Sequence, residues 1–366
     1  MLRVLAFLIL VGALALIVLS LLRRTPRHAS RTPVADDDSG DPRVLPPPSE
    51  RADRRLSRET ATHLLHELAF DTQLELAVPA EHVKIAMSVS STLQSVATDP
   101  KHAPRRPLLL PELVRAVNDS DTTRRDLAKM IARDPALVGS LLKLANSPLY
   151  RRGGQPIESL ERALAVLGTN GTRSLVAAAL LQPVFRAGDG ESARFAEIVW
   201  EHTQRSGAAA EMHAVAVESS EPFAAQLATL VMGLGAIIVY RSVLEQYAAR
   251  RMQPDPTAVA SLLDEQTPRV ARQLAAGWEL SDRVLEALDE QRFERVAPPA
   301  SSLGRSLQFG LLIGALSVLR SHDRIDDEVG LDTLAAAGGS GDRFERLWSR
   351  LTWPPEVEGE LVRRQS

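Results

Sequence analysis

The chain of 366 residues contains no cysteine, which excludes disulfide bonds, thiolate nucleophiles and metal sites with cysteine ligands. Lysine is almost missing as well: it occurs only at positions 84, 101, 129 and 143, so arginine supplies most of the positive charge. Aromatic residues make up 4% of the chain, and the abundance of alanine and leucine favours packed helices over sheets. The formal net charge of −3 gives no overall attraction to nucleic acid, and we expect no nucleic-acid partner.

Motifs of several common enzyme classes are missing too. No lysine follows a glycine, which excludes a Walker-type phosphate-binding loop. The stretch GGSGD at 338–342 does not match the nucleophile motif G-x-S-x-G, because Asp342 stands in place of the last glycine. No predicted strand precedes a glycine cluster, so a dinucleotide-binding fold is disfavoured.

The N-terminal stretch VLAFLILVGALALIVLSLL, residues 4–22, has Ser20 as its only polar side chain. At about 1.5 Å per residue a helix of this length spans about 28 Å, enough for a bilayer. A cleaved signal peptide is the alternative, but Arg23 and Arg24 follow at once where a small-residue cleavage site is needed. We therefore predict a transmembrane anchor at 1–22, with the arginines on its C-terminal side holding the rest of the chain in the cytoplasm.

Residues 23–55 are rich in proline, arginine and aspartate and cannot bury enough apolar surface to fold, so we predict a disordered linker. Apolar residues three and four apart then predict helices over 57–70 and 79–98. These two helices form a predicted helical lead-in at 56–106, which ends at a group of prolines.

Residues 108–186 predict short helices separated by caps. Pro111 opens the first helix, and Thr123 with Asp126 resembles a capping box at the start of the second. Asp134 caps the third, with Pro135 at its first position, and leucines including Leu141 and Leu144 line its buried side. Further along, Ser159 caps the stretch LERALAVLG, and Gly168 ends it in the position that favours a left-handed residue. A long apolar helix over about 172–185 is predicted in the centre of the bundle.

The run LATLVMGLGAIIVY, residues 227–240, contains no charged side chain. Fourteen residues cover about 21 Å, which is short of the ~30 Å hydrocarbon core, so we interpret it as a buried core helix. The later stretch SLGRSLQFGLLIGALSVLRS is predicted to be a further helix whose glycines allow tight packing on the bundle. From Gly338 we expect a loop and then a small helix with Trp348 and Trp353 at its end.

Three stretches, LPELVRAVNDSD, RDPALVGSLLKLANSPLY and PIESLERALAVLGTNGTRSL, resemble the HDOD domain, the HD-related output domain of bacterial signalling proteins. With WEHTQRSGAAAE at 200–211, the similarity covers about residues 107–297, leaving 298–366 as a predicted C-terminal helical extension. It implies an all-α helical bundle, and with the anchor it implies a protein of the bacterial inner membrane. The signature positions, expected to act in folding, are Asp134, Pro135, Leu141, Leu144, Asn146, Ser147, Tyr150, Gly168 and Trp200.

The resemblance also bears on catalysis. HD-type phosphohydrolases look similar in layout but hold divalent metal with a His–Asp pair and further ligands. Here Met232 and Gly233 stand where that pair would fall, and neither is a ligand for a hard divalent cation. His202 resembles an early histidine of those enzymes, but without partners we expect it to be structural or at the surface. We therefore predict no catalytic residue, no metal and no cofactor.

Other histidine pairs offer weaker alternatives. His63 and His66 are three apart on a predicted helix, and without a carboxylate pattern nearby we expect an exposed face. His322 lies in a charged run after an apolar helix, where a solvated helix end is expected.

Two functions stay open. The first is a membrane-tethered, non-catalytic signalling module that binds a protein or a small ligand, with Arg151 and Arg152 as candidate contacts to an anionic partner. The second is a residual metal-dependent phosphohydrolase acting on nucleotides or phosphoesters. The sequence leaves the signal, the partner and the oligomeric state undetermined.

Overall fold

The computed structural model describes residues 54–94, 123–133, 135–147, 149–150, 156–185, 191–292 and 297–352. The predicted anchor at 1–22, nearly all of the linker at 23–55, Pro111, Asp134, Arg151 and Arg152 lie outside these residues. Every regular element within the described ranges is a helix, which confirms the predicted all-α bundle. The helices are α1 (Arg58–Phe70), α2 (Ala80–Leu93), α3 (Arg124–Ile131), α4 (Pro135–Ala145), α5 (Leu160–Phe185), α6 (Glu191–Ala216), α7 (Pro222–Ala249), α8 (Pro256–Gly277), α9 (Asp282–Asp289), α10 (Ser302–Ser321), α11 (Asp327–Ala336) and α12 (Asp342–Thr352).

Helices α1 and α3 begin at side-chain caps. In α1, the backbone N–H of Thr60 donates to the hydroxyl of Ser57 at 3.1 Å. In α3, Thr123 and Asp126 form the predicted capping box, with each side chain accepting from the other residue's backbone N–H. These caps satisfy donors that a helix leaves unpaired at its first turn.

Helix α5 is bent at Gly168. This residue has a φ of +68°, which L side chains rarely adopt, and the sequence predicted a helix end there. Ser159 caps the preceding segment, because its hydroxyl accepts from the backbone N–H of Arg162 at 3.2 Å. The segment after the bend, from Thr172 to Gln182, is buried along almost all of its length, as predicted for a central helix.

Helix α7 is the centre of the bundle and contacts α2, α5, α6 and α8. All residues from Ala225 to Gly235 are buried, so the uncharged run at 227–240 is a core helix, as predicted. A helix that is apolar all round belongs inside a protein rather than at its surface.

Among the described residues, α7 and α10 are the two unbroken helices long and apolar enough to cross a bilayer by length and composition. However, 89% of the most apolar window of α7 and 72% of that of α10 is buried inside the fold. Contacts within the bundle therefore already cover most of their apolar surface.

Helix α10 packs along α6 at short distance, which confirms the predicted tight packing of its glycines. A Cβ atom at Gly310 would lie 2.6 Å from the carbonyl oxygen of Ser206, and one at Gly314 would lie 2.7 Å from the Ser206 nitrogen. Any side chain at these two positions would push the helices apart. Helix α10 is thus part of the same core as the segment that resembles HDOD.

The C-terminal region holds one helix that the sequence did not predict. His322 is the exposed C-cap of α10, which confirms the solvated helix end expected there. Beyond it, Asp326 caps α11 by accepting from the backbone N–H of Val329 at 2.8 Å. The predicted tryptophan-containing helix is α12, in which Trp348 is buried and donates its indole N–H to Asp327 at 3.0 Å. Trp353 lies outside the described residues.

Candidate functional site

A cavity of about 130 Å³ opens between helices α1, α6, α7, α8 and α10. Met232 and Gly233 form part of its wall, and His202 lies on a neighbouring helix that also lines it. The fold therefore brings together the three positions that the sequence identified as a degenerate metal site. We call this cavity the central pocket.

Gly233 is required by the close approach of α6 to α7. A Cβ atom at this position would lie 3.0 Å from Cγ2 of Thr203 and still closer to its hydroxyl oxygen. Thr203 is buried, and its hydroxyl donates to the carbonyl of Val199 at 2.7 Å. The space of a carboxylate side chain is thus filled by threonine. Met232, 7% exposed, offers only a thioether, which is a poor ligand for hard cations.

His202 is held by the backbone of α10, as expected for a structural histidine. Its Nε2 lies 2.9 Å from the carbonyl oxygen of Leu311, so Nε2 carries the proton and donates. Burial lowers the pKa of His202 to about 4, and the ring is therefore neutral at neutral pH. The nitrogen that faces α10 is used by this bond and does not serve a metal.

The metal that related phosphohydrolases hold does not fit the side chains present here. Within the part of the chain that the structure describes, no three His, Asp or Glu side chains are grouped closely enough to hold an ion. At the position of the His–Asp pair, Met232 offers a thioether instead of an imidazole, and Gly233 offers a hydrogen instead of a carboxylate.

The pocket contains two polar groups whose role the sequence did not predict, His66 on α1 and Asp264 on α8. His66 was expected on an exposed face, but its side chain is only 13% exposed, because this face of α1 covers the pocket. His63, by contrast, is 49% exposed as predicted. Asp264 follows the apolar pair Leu262 and Leu263, and only its helical spacing from buried residues could have indicated an inward position.

Burial changes the ionisation of both groups. It lowers the pKa of His66 to about 4 and raises the pKa of Asp264 to about 7. Arg58 counteracts the second shift, since its guanidinium favours the ionised carboxylate; Arg58 itself donates from Nη2 to the carbonyl of Gln291 at 3.1 Å. The polar end of the pocket is thus a neutral imidazole, an acid poised near neutrality and an arginine.

Two signature residues, Asn146 and Ser147, lie away from the central pocket and form hydrogen bonds with the backbone. The amide of Asn146 donates to the carbonyls of Leu142 and Ile157 at 2.9 and 2.8 Å, and its oxygen accepts from the Ile157 N–H at 2.8 Å. One side chain thereby joins the end of α4 to the segment that enters α5. Ser147 donates to the carbonyl of Leu144 at 2.7 Å and closes the last turn of α4. Leu141, 0% exposed, belongs to the core.

Ser147 and Trp200 also line a groove of about 430 Å³ between α4, α6, α10 and α12. Charged side chains at its wall include Glu201 and Arg205, which form an ion pair one turn apart on α6. The phenol of nearby Tyr150 lies 3.2 Å from the amide oxygen of Gln204. The signature residues thus join the end of α4 to the segment that enters α5 and also form one wall of a surface groove.

A half-buried acid, Glu211, is influenced by the charge of Arg350 at the wall of this groove. Glu211 on α6 accepts a hydrogen bond from Ser174 on α5. Burial raises the pKa of Glu211 to about 7, and the Ser174 hydrogen bond and the positive charge of Arg350 oppose the shift. No sequence motif indicates this acid, which is a single carboxylate in the alanine-rich stretch SGAAAEMHAVA.

The fold and the altered pocket define a helical domain related to HD-type proteins that lacks the His–Asp pair. The chain matches the HDOD domain over residues 103–292, more than half of its length, and it belongs to this family. The sequence had predicted the domain at 107–297.

Two solved structures illustrate the shared fold. One, from Shewanella amazonensis SB2B, is called a "putative metal-dependent phosphohydrolase"; it is 18% identical, with a TM-score of 0.53 over 75% of this chain and 99% of that one. The other is an HDOD domain protein with unknown function from Geobacter sulfurreducens, 17% identical, with a TM-score of 0.50 over 77% of this chain and 96% of that one.

A curated relative from Treponema pallidum (strain Nichols) is an uncharacterized protein that is 23% identical over 237 residues. The match covers 63% of this chain and 45% of the relative, so the chain spans less than half of that protein's length.

Proposed function

We propose that this HDOD protein is a non-catalytic regulatory module, tethered to the cytoplasmic face of the bacterial inner membrane, that acts by binding a protein partner. The observation that carries the proposal is the wall of the central pocket. There Thr203 fills the space beside Gly233, and His202 donates to a backbone carbonyl. Side chains that are already packed and hydrogen-bonded in this way support a structural use of the former metal site.

The competing function is a residual metal-dependent phosphohydrolase, the activity for which the Shewanella neighbour is named. The full chain, purified in detergent, is analysed for bound Mn, Fe, Mg and Zn and assayed with generic phosphoesters in the presence of each ion. We expect substoichiometric metal and no hydrolysis above buffer. Stoichiometric metal together with turnover would overturn the non-catalytic proposal.

Membrane tethering rests on the apolar stretch at 4–22 and the arginines that follow it. We expect the protein to stay in the membrane fraction after a carbonate wash, and a chain without residues 1–24 to leave it. A reporter fused after Ser366 should report the cytoplasm. A periplasmic reporter signal would reverse the proposed topology.

Partner binding is proposed to involve Arg151 and Arg152, which follow the signature stretch in sequence. Paired guanidinium groups suit carboxylate or phosphate groups on a partner. In a pull-down from native membranes, the variant R151E/R152E should lose the partner, whereas the matched variant R250E/R251E should keep it. Equal recovery with both variants would remove this arginine pair from the proposal. We propose no nucleic-acid partner.

A further inference from the structure

The polar end of the central pocket contains two groups that face each other without bonding. Nδ1 of His66 and Oδ1 of Asp264 are 3.8 Å apart, which is too long for a hydrogen bond. Nδ1 of His66 is buried and has no hydrogen-bond partner, whereas the Asp264 side chain is 32% exposed. Buried polar groups are nearly always hydrogen-bonded, so the unpartnered Nδ1 of His66, which faces the cavity beside Asp264, calls for a further participant.

The other residues that line the central pocket define the shape of the molecule that it can hold. Beside these groups the walls are largely apolar and include Leu65, Phe195, Val199 and Leu263. The volume of about 130 Å³ is close to that of cavities that hold one aromatic ring, which measure about 150 Å³. A flat, single-ring molecule therefore fits the space with its polar edge toward α1 and α8.

The charges exclude most ionic ligands. Arg58 and an ionised Asp264 balance each other, and the imidazoles of His66 and His202 are neutral near pH 7. An added anion or cation would leave an unbalanced charge in a poorly solvated site, which is costly. The ligand is therefore neutral. With His66 in its Nδ1–H tautomer, the ligand donates one hydrogen bond to the carboxylate and accepts one from the imidazole N–H.

We propose that the central pocket binds a small neutral N–H heterocycle of the azole class, with the ring N–H on Asp264 and the adjacent bare nitrogen on His66. This inference rests on the proposed non-catalytic function, because it treats the former metal site as a ligand site. Binding there would join α1, on the N-terminal side of the family domain, to α8 within it. A small molecule bound at this site would thus regulate the module.

The test compares two probes that differ only in the donor: pyrazole, and 1-methylpyrazole, in which a methyl group replaces the N–H hydrogen. Binding to the full chain in detergent is measured by isothermal titration calorimetry at pH 8, where Asp264 is ionised. We expect pyrazole to bind about tenfold more tightly or better, because a hydrogen bond to a charged group is lost in the methylated probe.

Variants locate the binding site. D264L should abolish the preference for pyrazole, and D264N, which keeps the shape, should reduce it if the leucine variant does not fold. The exposed carboxylate of Glu286 on α9 provides the control, and E286Q should bind like the parent.

Three results would overturn the inference: no binding of pyrazole, equal binding of both probes, or an unchanged preference in D264L and D264N. The first would mean that water alone occupies the pocket. None of them bears on catalysis, whereas metal-dependent hydrolysis by the parent would overturn the proposed function whatever the azole result.

Discussion

Replacing Gly233 with alanine tests directly whether the former metal site has been rebuilt as a packed helix contact. The new methyl group would lie 3.0 Å from Cγ2 and 3.1 Å from Cβ of Thr203, and closer still to its hydroxyl. Real Cβ atoms essentially never approach a neighbour to less than 3.0 Å, so one of the two helices must shift. Thr203 cannot simply turn away, because it is buried, β-branched and hydrogen-bonded to Val199.

The expected magnitude combines two opposing effects. Exchanging glycine for alanine inside a helix stabilises it by about 1 kcal/mol, whereas overpacking a dense core costs about 1–3 kcal/mol. The net effect of G233A is therefore a loss of about 0–2 kcal/mol in the free energy of unfolding. In a T203A background the clashing hydroxyl and methyl are gone, so the same change should cost little. The coupling energy between the two positions should be about 1–3 kcal/mol.

The assay is a double-mutant cycle of G233A and T203A, followed by urea unfolding and thermal melts. Gly139 provides the matched control, because a Cβ atom there meets nothing within 4 Å. G139A should therefore be neutral or slightly stabilising. If the effects of G233A and T203A simply add, the two helices are not in the contact described here, and the argument from Thr203 fails.

Three further predictions address the signature, the acid Glu211 and the lost metal pair. Asn146→Ala removes three hydrogen bonds and should destabilise the domain by about 2–3 kcal/mol. Leu141→Ala opens a core cavity and should destabilise it by about 2–5 kcal/mol. Neutral thermal melts of both variants would contradict the assigned helix register. Burial raises the pKa of Glu211 to about 7, so between about pH 4.5 and 7 the folded state keeps a proton that the unfolded state has released, and stability falls as the pH rises. Glu211→Gln should therefore gain stability over the parent across this window, and a pH-independent difference would show that the acid is solvated. The double variant Met232→His with Gly233→Asp should bury two ionisable groups without partners, which should lower the melting temperature. We also expect this variant to hydrolyse no phosphoester. A melting temperature restored by Mn²⁺ would show that a usable set of metal ligands survives.

The sequence by itself determined the helical class, the main helix boundaries and the family. These follow from local chemistry: the Thr123–Asp126 capping box, the cap at Ser159, the positive φ of Gly168 and the uncharged run of α7 each depend on a few neighbouring residues. The identities of Met232 and Gly233 also sufficed to show that the His–Asp pair is missing.

Only the tertiary structure decided what replaced that pair. Thr203 and Gly233 are thirty residues apart, and nothing local reveals that the hydroxyl of one fills the space beside the other. His66 and Asp264 lie on helices that are far apart in the sequence, α1 and α8, so their shared cavity and shifted pKa values could not be predicted from either helix alone. A cap is fixed by a few bonds along the chain, whereas a pocket depends on which helix faces meet, and that is settled only when the whole core packs.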